Sequence, residues 1–306
     1  MGQSVKLLAH AFDGSNPSLW TKAQMKNVII TCANSKSGDF LIKHWLKSLK
    51  DNVSLKNIDV VVIDYGLSNK QKTRLKNQKV IVEEGTKEYH IVNKRFFDAG
   101  EYLTKNKYDQ VLFVDGGDII FQQDISKSFN KNKDSFRVVP IGVDVLFFEW
   151  YIAMYGNFAS DVKKKIWRVV KNRPVINAGV IFAPAKKFII LSGYMKKLIK
   201  NKSAFGPDQI ILNYYLYHKN QFKFLDEKYN FMMSTVKDGF YIKRGVFYKN
   251  NGENIVIVHN AGAMDFFRPV EDFGYGPKFN KLKDFIYQAK KKHYEIISLY
   301  KKIFRS

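Results

Sequence analysis

Cysteine is almost absent: the 306-residue chain carries one, Cys32. A single thiol excludes an internal disulfide framework and a zinc site built on cysteines, and it fits a reducing cytoplasm. Long apolar runs are missing as well. Nowhere do about 18 uninterrupted apolar residues occur, so no helical membrane span is expected. The first 25 residues mix Gly, Ser, Asn, Asp and Lys without a long apolar core, so no secretory signal is expected there. No Gly-x-Gly-x-x-Gly follows the first apolar run and no Gly-Lys-Ser/Thr loop occurs, which argues against a dinucleotide-binding dehydrogenase and a P-loop NTPase. Helix-turn-helix, zinc-finger and RNA-recognition signatures are lacking too. Neither an internal repeat nor a Pro/Gly/Ser linker is seen, which favours one compact domain with terminal appendages.

Acidic residues are scarce. Against 28 Asp+Glu stand 51 Lys+Arg, a formal net charge of +23. Such an excess predicts attraction to polyanions: nucleic acid, an anionic membrane face or phosphorylated substrates. The lysines are dispersed among Asn, Ile, Phe and Tyr, so charge speaks to partners and not to chemistry. Hydrophobic residues at 45% and aromatics at 15% suffice for a sizeable core.

What is present is an alternation. Short continuous apolar runs, Val28–Ala33, Val60–Ile63, Val80–Val82 and Val111–Val114, read as buried strands. Between them, helical spacing appears at Phe40–Leu49, Gln71–Gln78 and Asn93–Thr104. Strands alternating with helices predict an α/β domain on a parallel sheet. Further on, the pattern predicts a strand over Arg137–Val145, a long aromatic helical region over Phe147–Val170 and a strand over Pro174–Ala183 interrupted by Asn-Ala-Gly. Helices over Lys186–Lys200 and from Pro207, and a last buried strand, Ile255–Val258, complete it.

Ligands of such sheets bind outside the carboxyl ends of the strands. Here those ends carry Ala33-Asn34, Asp64-Tyr65-Gly66 and Asp115-Gly116-Gly117-Asp118, expected to converge on one crevice. Two carboxylates at the end of a buried strand need water, a cation or a shared proton. The glycines allow close approach of backbone or ligand. Mg²⁺ or Mn²⁺ holding a phosphorylated ligand suits that set, since both take hard oxygen ligands and substrate phosphates. A Gly-Gly turn capped by two solvated aspartates is the blander alternative.

Taken in order, Val28–Asn34, Ile63–Ser68, Tyr108–Ile125, Ile176–Phe182 with Gly206–Asn213, and Val256–Pro269 resemble the GT-A glycosyltransferases of family 8, which include glycogenin and bacterial lipo-oligosaccharide galactosyltransferases. The resemblance implies a GT-A (Rossmann-like) fold with a mostly parallel central sheet flanked by helices, over roughly residues 26–270. It implies a nucleotide-sugar site for a UDP-sugar, with Mn²⁺ or Mg²⁺ bridging the diphosphate. The family's Asp-x-Asp and later histidine correspond here to Asp115, Asp118 and His259. Counting back from Asp124, Asp118 stands where the second aspartate belongs and Gly116 where the first does. Asp115 lies one residue earlier, and a local bulge at Gly116 and Gly117 would bring it round. Val258-His259-Asn260-Ala261-Gly262 with Arg268-Pro269 is similar to the family's His-x-x-Gly and Lys-Pro.

Asn177-Ala178-Gly179 then corresponds to the lining of the donor-sugar pocket. Asp208-Gln209 corresponds to the family's Asp-Gln, the carboxylate on sugar hydroxyls and the glutamine facing the reactive carbon. A bulge in a core strand and a helix N-terminal acid are the structural alternatives for these two stretches. Ala33, Asn34 and Asp64 would hold the nucleoside, Gly262 and Arg268 would border the donor, and Lys94 or Arg95 could reach a phosphate. The implied reaction is sugar transfer from a nucleotide sugar to a glycan or lipid-linked acceptor, with retention preferred because Asp208 is the one nameable base for inversion. A nucleotidyltransferase and a polyanion- or nucleic-acid-binding protein are the rivals. No specific nucleic-acid partner is expected. Residues 1–25 read as an N-terminal arm and 271–306 as a basic helical tail. In that tail Leu282, Phe285, Ile286, Ala289, Ile296, Ile297, Tyr300 and Phe304 recur at roughly helical spacing. Such a helix either docks on the domain or lies on an anionic membrane surface.

Overall fold

A computed structural model of the chain describes residues 25–142, 145–201, 203–233, 235, 239–261 and scattered positions between 270 and 296. The expected arm, apart from Met25, lies outside the described residues, as do Gly262, Arg268, Ile297, Tyr300 and Phe304.

The first half follows the alternation. In order come β1 (Asn27–Ala33), α1 (Ser35–Phe40), a π turn (Leu41–Trp45) and α2 (Leu46–Asn52), one continuous helical stretch. Next are β2 (Ile58–Asp64), α3 (Asn69–Asn77), β3 (Ile81–Glu84), α4 (Ile91–Lys105), β4 (Gln110–Val114) and a short β5 (Ile119–Phe121). Capping is local and strong: Asn34 and Ser68 close capping boxes at α1 and α3.

The second half holds β6 (Phe136–Ile141), α5 (Val145–Tyr155), α6 (Ser160–Val170), β7 (Val175–Pro184), α7 (Ala185–Leu198) and α8 (Pro207–Lys219). Five short strands follow: β8 (Phe222–Phe224), β9 (Phe231–Met232), the hairpin β10 (Phe240–Lys243) with β11 (Val246–Lys249), then β12 (Ile257–His259). The long helix expected over Phe147–Val170 is two helices, broken at Gly156–Phe158, where the chain turns back through Phe158 N–H to Gly156 C=O.

The main sheet runs β3-β2-β1-β4-β7-β6-β8. It is mostly parallel, as expected, and β7 runs antiparallel to both β4 and β6. A strand buried on both faces has the same apolar run in either direction, so the direction of β7 was not written locally. Alternation along the strands splits the core in two. Val28, Ile30, Val61, Val111 and Phe113 face α4, α7 and α8, while Ile29, Val60, Val62, Leu112 and Val114 face the α1–α2 stretch. A second sheet, β5-β12-β9, has β12 antiparallel to β5 and parallel to β9. The chain crosses from the large sheet to the small one between Val114 and Ile119, through the Asp-Gly-Gly-Asp loop.

Candidate active site

The three strand ends do meet. β1 lies between β2 and β4, with Ala33 opposite Asp64. After β4 the backbone turns against β1 so tightly that a Cβ on Gly116 would lie 2.6 Å from Cys32 O and Thr31 Oγ1. Only glycine fits there. Asp115 and Asp118, on either side of this close approach, lie near one another at the strand end. The α1–α2 stretch pins the loop from beneath: Trp45, fully buried, donates Nε1–H to Asp115 C=O at 3.0 Å. One residue into β5's end, Asn52 donates to Phe121 C=O and Phe121 N–H donates to Ser48 Oγ.

β12 delivers the third group. Its register with β5 sets His259 opposite Ile119, and Asn260 N–H donates to Asp118 C=O. One ligand atom each from Asp115, Asp118 and His259 lies within 4.8 Å of the others. His259 Nε2 is 3.6 Å from Asp115 Oδ2 and 3.5 Å from Asp118 Oδ1. That nitrogen is buried and has no hydrogen-bond partner, while Nδ1 lies 2.7 Å from Asn230 Oδ1. A buried nitrogen aimed at two carboxylates is the donor set of a divalent cation with one nitrogen and two hard oxygens. The residues present therefore fit a metal.

β7 forms the opposite wall. Its register with β6 slips between Val138 and Pro140, so that Asn177, Ala178 and Gly179 sit in a bulge. Gly179 underlies the cation site: a Cβ there would lie inside His259 Cε1, 2.7 Å from Asn177 Oδ1 and 2.9 Å from Asp115 Oδ2. α8 is laced to this bulge by the buried Asn213, which exchanges hydrogen bonds of 2.8 Å with Ile176 N–H and C=O. Asp208 and Gln209, in the first turn of α8, are thereby fixed beside Asn177 and Ala178. Gln209 Oε1 accepts from Asn177 Nδ2 at 3.3 Å and from Ala178 N–H at 3.4 Å.

Arg95 ties the two walls. Its guanidinium pairs with Asp115 Oδ1 and lies 3.6 Å from Asp208 Oδ2. It rests over the rings of Phe96 and Phe113. Asp208 is 5% exposed. Burial raises its carboxyl above the ordinary aspartate range, and Arg95 and the Gln209 N–H pull in the other direction. One guanidinium thus stands against the carboxylates of both Asp115 and Asp208. Tyr151 of α5 belongs to the same neighbourhood: burial raises its hydroxyl, and the Asp208 carboxylate adds to the shift.

Other residues singled out from the sequence take local partners. Asn34 Oδ1 caps α1 through Lys36 and Ser37 N–H. Asp64 Oδ1 accepts from Gly66 and Leu67 N–H. Gly117 lies against Ser37 without crowding. Lys94 turns from the crevice to donate to Thr86 C=O at 2.8 Å, with its ammonium 4.2 Å from the Tyr65 ring centroid. Asn230 touches the site but stands out in no sequence pattern, while Trp45 was legible only as part of an apolar helical stripe; both act at a distance of many residues. Among the described residues no helix is long and apolar enough to cross a membrane.

No known family profile and no curated protein sequence matches the chain. Solved structures do match. Galactosyltransferase LgtC in complex with donor and acceptor sugar analogues aligns with a TM-score of 0.51 at 16% identity, over 77% of this chain and 87% of that one. The WbbM bifunctional glycosyltransferase in its apo form aligns with a TM-score of 0.50 at 18% identity, over 81% of this chain and 47% of that one. At such identities the likeness is one of fold, and the fold is the GT-A arrangement of these glycosyltransferases.

Proposed function

We propose that this GT-A chain is a glycosyltransferase, moving a sugar from a UDP-sugar to a glycan or lipid-linked acceptor with the aid of a divalent cation. The observation that carries the reading is the buried Nε2 of His259, aimed at Asp115 and Asp118 in the crevice where Asp208 and Gln209 begin α8. Mn²⁺ or Mg²⁺ held by those three residues would supply positive charge beside the departing diphosphate.

The chain's own residues do the rest. Ala33, Asn34 and Asp64 hold the nucleoside at the ends of β1 and β2. Gly116 and Gly117 leave the loop low enough for the diphosphate to approach; the family resemblance would add Gly262 and Arg268, which lie outside the described residues. Asn177, Ala178 and Gly179 floor the sugar pocket. Asp208, steadied by Arg95, accepts hydrogen bonds from sugar hydroxyls, and these gain strength as charge builds in the transition state. An inverting transfer needs a carboxylate base opposite the leaving group, and Asp208, 3.6 Å from Arg95, is the one nameable candidate. Retention is the proposed course, the leaving phosphate taking the acceptor's proton on the same face.

Calorimetric titration of UDP with and without Mn²⁺ tests the reading. UDP should bind more tightly with the cation, and chelator or Asp118→Asn should abolish the difference. Equal affinity in all three cases would remove the cation from the site. A thermal-shift panel of nucleotide sugars would then identify the donor, since a ligand at 100 times its Kd adds about 2.7 kcal/mol. Generic duplex binding of steep salt dependence, with no nucleotide-sugar binding, would favour the polyanion rival instead.

A second observation bears on location. The tail residues Leu282, Phe285 and Ile296 are helical and 65–71% exposed. Apolar side chains at helical spacing among lysines support peripheral attachment to an anionic membrane face, which would bring the crevice to a lipid-linked acceptor. Sedimentation with liposomes of graded anionic content, comparing the full chain with one ending at Asp284, decides this; equal binding by both removes the tail from the reading.

A further inference from the structure

Two backbone N–H groups determine the orientation of every amide between α8 and His259. The Gly179 N–H can only donate, so the Asn177 atom 2.7 Å from it is the oxygen. The Ala178 N–H likewise identifies the Gln209 atom it meets as Oε1. Asn177 then has its nitrogen on the other side, where it donates to Gln209 Oε1. Asn177 Oδ1 also receives a second group, Asn230, at 3.0 Å, and that group must be an N–H. Asn230 consequently turns its own oxygen to His259 Nδ1, at 2.7 Å, and Nδ1 must carry hydrogen. The histidine end of this chain lies away from water: Asn230 is 2% exposed and His259 1%.

We propose that Asn230 is a positioning residue for the cation site: it holds His259 as the Nδ1–H tautomer, with the Nε2 lone pair turned to Asp115 and Asp118. The same side chain, through Asn177, orients the Gln209 amide. The inference rests on the proposed cation site and adds to it the group that sets the ligating nitrogen. Histidine ligands depend on such a partner, because the hydrogen bond made by one ring nitrogen decides which nitrogen is bare. The backbone is arranged for the task. Asn230 follows a 3₁₀ turn (Glu227–Tyr229) whose Glu227 C=O accepts its N–H, and immediately precedes β9. β9 in turn sets Phe231 opposite Val258 and Met232 opposite His259. A buried chain with each donor matched to one acceptor allows a single arrangement. Gln209 is left with its N–H groups, and not its oxygen, for other partners.

The first measurement needs no metal. Two-bond ¹H–¹⁵N correlation of the histidine rings, at a pH where they are neutral and with His259 assigned by a His259→Gln variant, should show the Nδ1–H form alone in the unaltered protein. Asn230→Ala should admit the Nε2–H form. The second measurement is Mn²⁺ binding to the UDP complex, followed by paramagnetic resonance of the free ion. Asn230→Ala should weaken it about 10- to 100-fold, the usual cost of losing a ligand's supporting partner, while UDP affinity in chelator stays unchanged. Asn230→Asp keeps an oxygen for Nδ1–H and should preserve both the tautomer and most of the Mn²⁺ affinity. That variant decides the matter if the alanine protein does not fold. An unchanged Nδ1–H tautomer together with undiminished Mn²⁺ binding in Asn230→Ala, or the Nε2–H form in Asn230→Asp, overturns the inference. Absence of Mn²⁺ binding in the unaltered protein would instead overturn the cation reading, and the ring tautomer alone would then judge Asn230.

Discussion

Adding one methyl group at Gly179 should disable the site without changing a charge or a ligand. The Cβ of Gly179→Ala would fall inside His259 Cε1, at 2.7 Å from Asn177 Oδ1 and 2.9 Å from Asp115 Oδ2, whereas ordinary contact begins near 3.4 Å. None of the three neighbours can step aside cheaply. Asn177 is held by Gly179 N–H and Asn230, His259 by Asn230, and Asp115 by Arg95. Overpacking of this kind costs about 1–3 kcal/mol of stability. A displacement of about 1 Å at the reacting groups costs on the order of 10²-fold in rate. Chemical denaturation measures the first figure, and turnover on an identified donor the second. Mn²⁺ affinity in the presence of UDP should fall as well, because the methyl group separates two of the three ligands. Full stability together with unchanged Mn²⁺ affinity would refute the reasoning, since it would mean that β7 and β12 are looser than their hydrogen bonds imply.

Arg95→Met should destabilise by about 3–5 kcal/mol, because it strands Asp115 and the buried Asp208 without their shared cation; adding Asp208→Asn should recover part of that loss in denaturation experiments, and no recovery would refute the pairing. Asp208→Asn and Gln209→Ala should lower turnover far more than they weaken UDP binding, since their contacts strengthen only as the reaction proceeds; near-normal turnover in either would remove that residue from the sugar site. Glu253 is held below the usual glutamate range by the Lys228 hydrogen bond first and Lys249 next. A carboxyl depressed in the fold contributes stability above its unfolded value, near 4.5, and loses it as the pH falls through the folded value. The stability difference between the unaltered protein and Glu253→Gln should therefore vanish in acid, and a difference that persists there would contradict the assignment.

How much of this was legible depends on how far each partner lies along the chain. β1, β2 and β4 announce themselves as continuous apolar runs, and their polar ends gave the crevice, because a parallel α/β sheet writes its ligand site at its strand termini. The Asp-Gly-Gly-Asp spacing looked one residue out of register, yet Asp115 and Asp118 lie near one another at the strand end. The second sheet was harder. β5 and β9 are three and two residues long, too short for any period to register. The break between α5 and α6 was hidden by aromatic residues on both sides of Gly156. Asn230 was invisible for another reason. Its partners are 29 and 53 residues away, and a lone asparagine between two aromatics gives no local sign of them. Lys94, by contrast, was expected to reach a phosphate, and it is instead turned to Thr86 C=O and the Tyr65 ring.

The crossing between the two sheets has a mechanical side. Asp115 answers to the large sheet, through its N–H to Gly179 C=O, and Asp118 to the small one, through the Asn260 N–H. Only Gly116 and Gly117 lie between them. A cation gripped by both aspartates and by His259 would rivet two layers that the bare backbone joins through a pair of glycines. Loading would then be felt as stiffness: β5, β12 and β9 should exchange their amide hydrogens more slowly, while β1 and β2, anchored among helices, should keep the pace they had. The loop between the sheets would in that sense be a latch, closed by a cation shared by both sides.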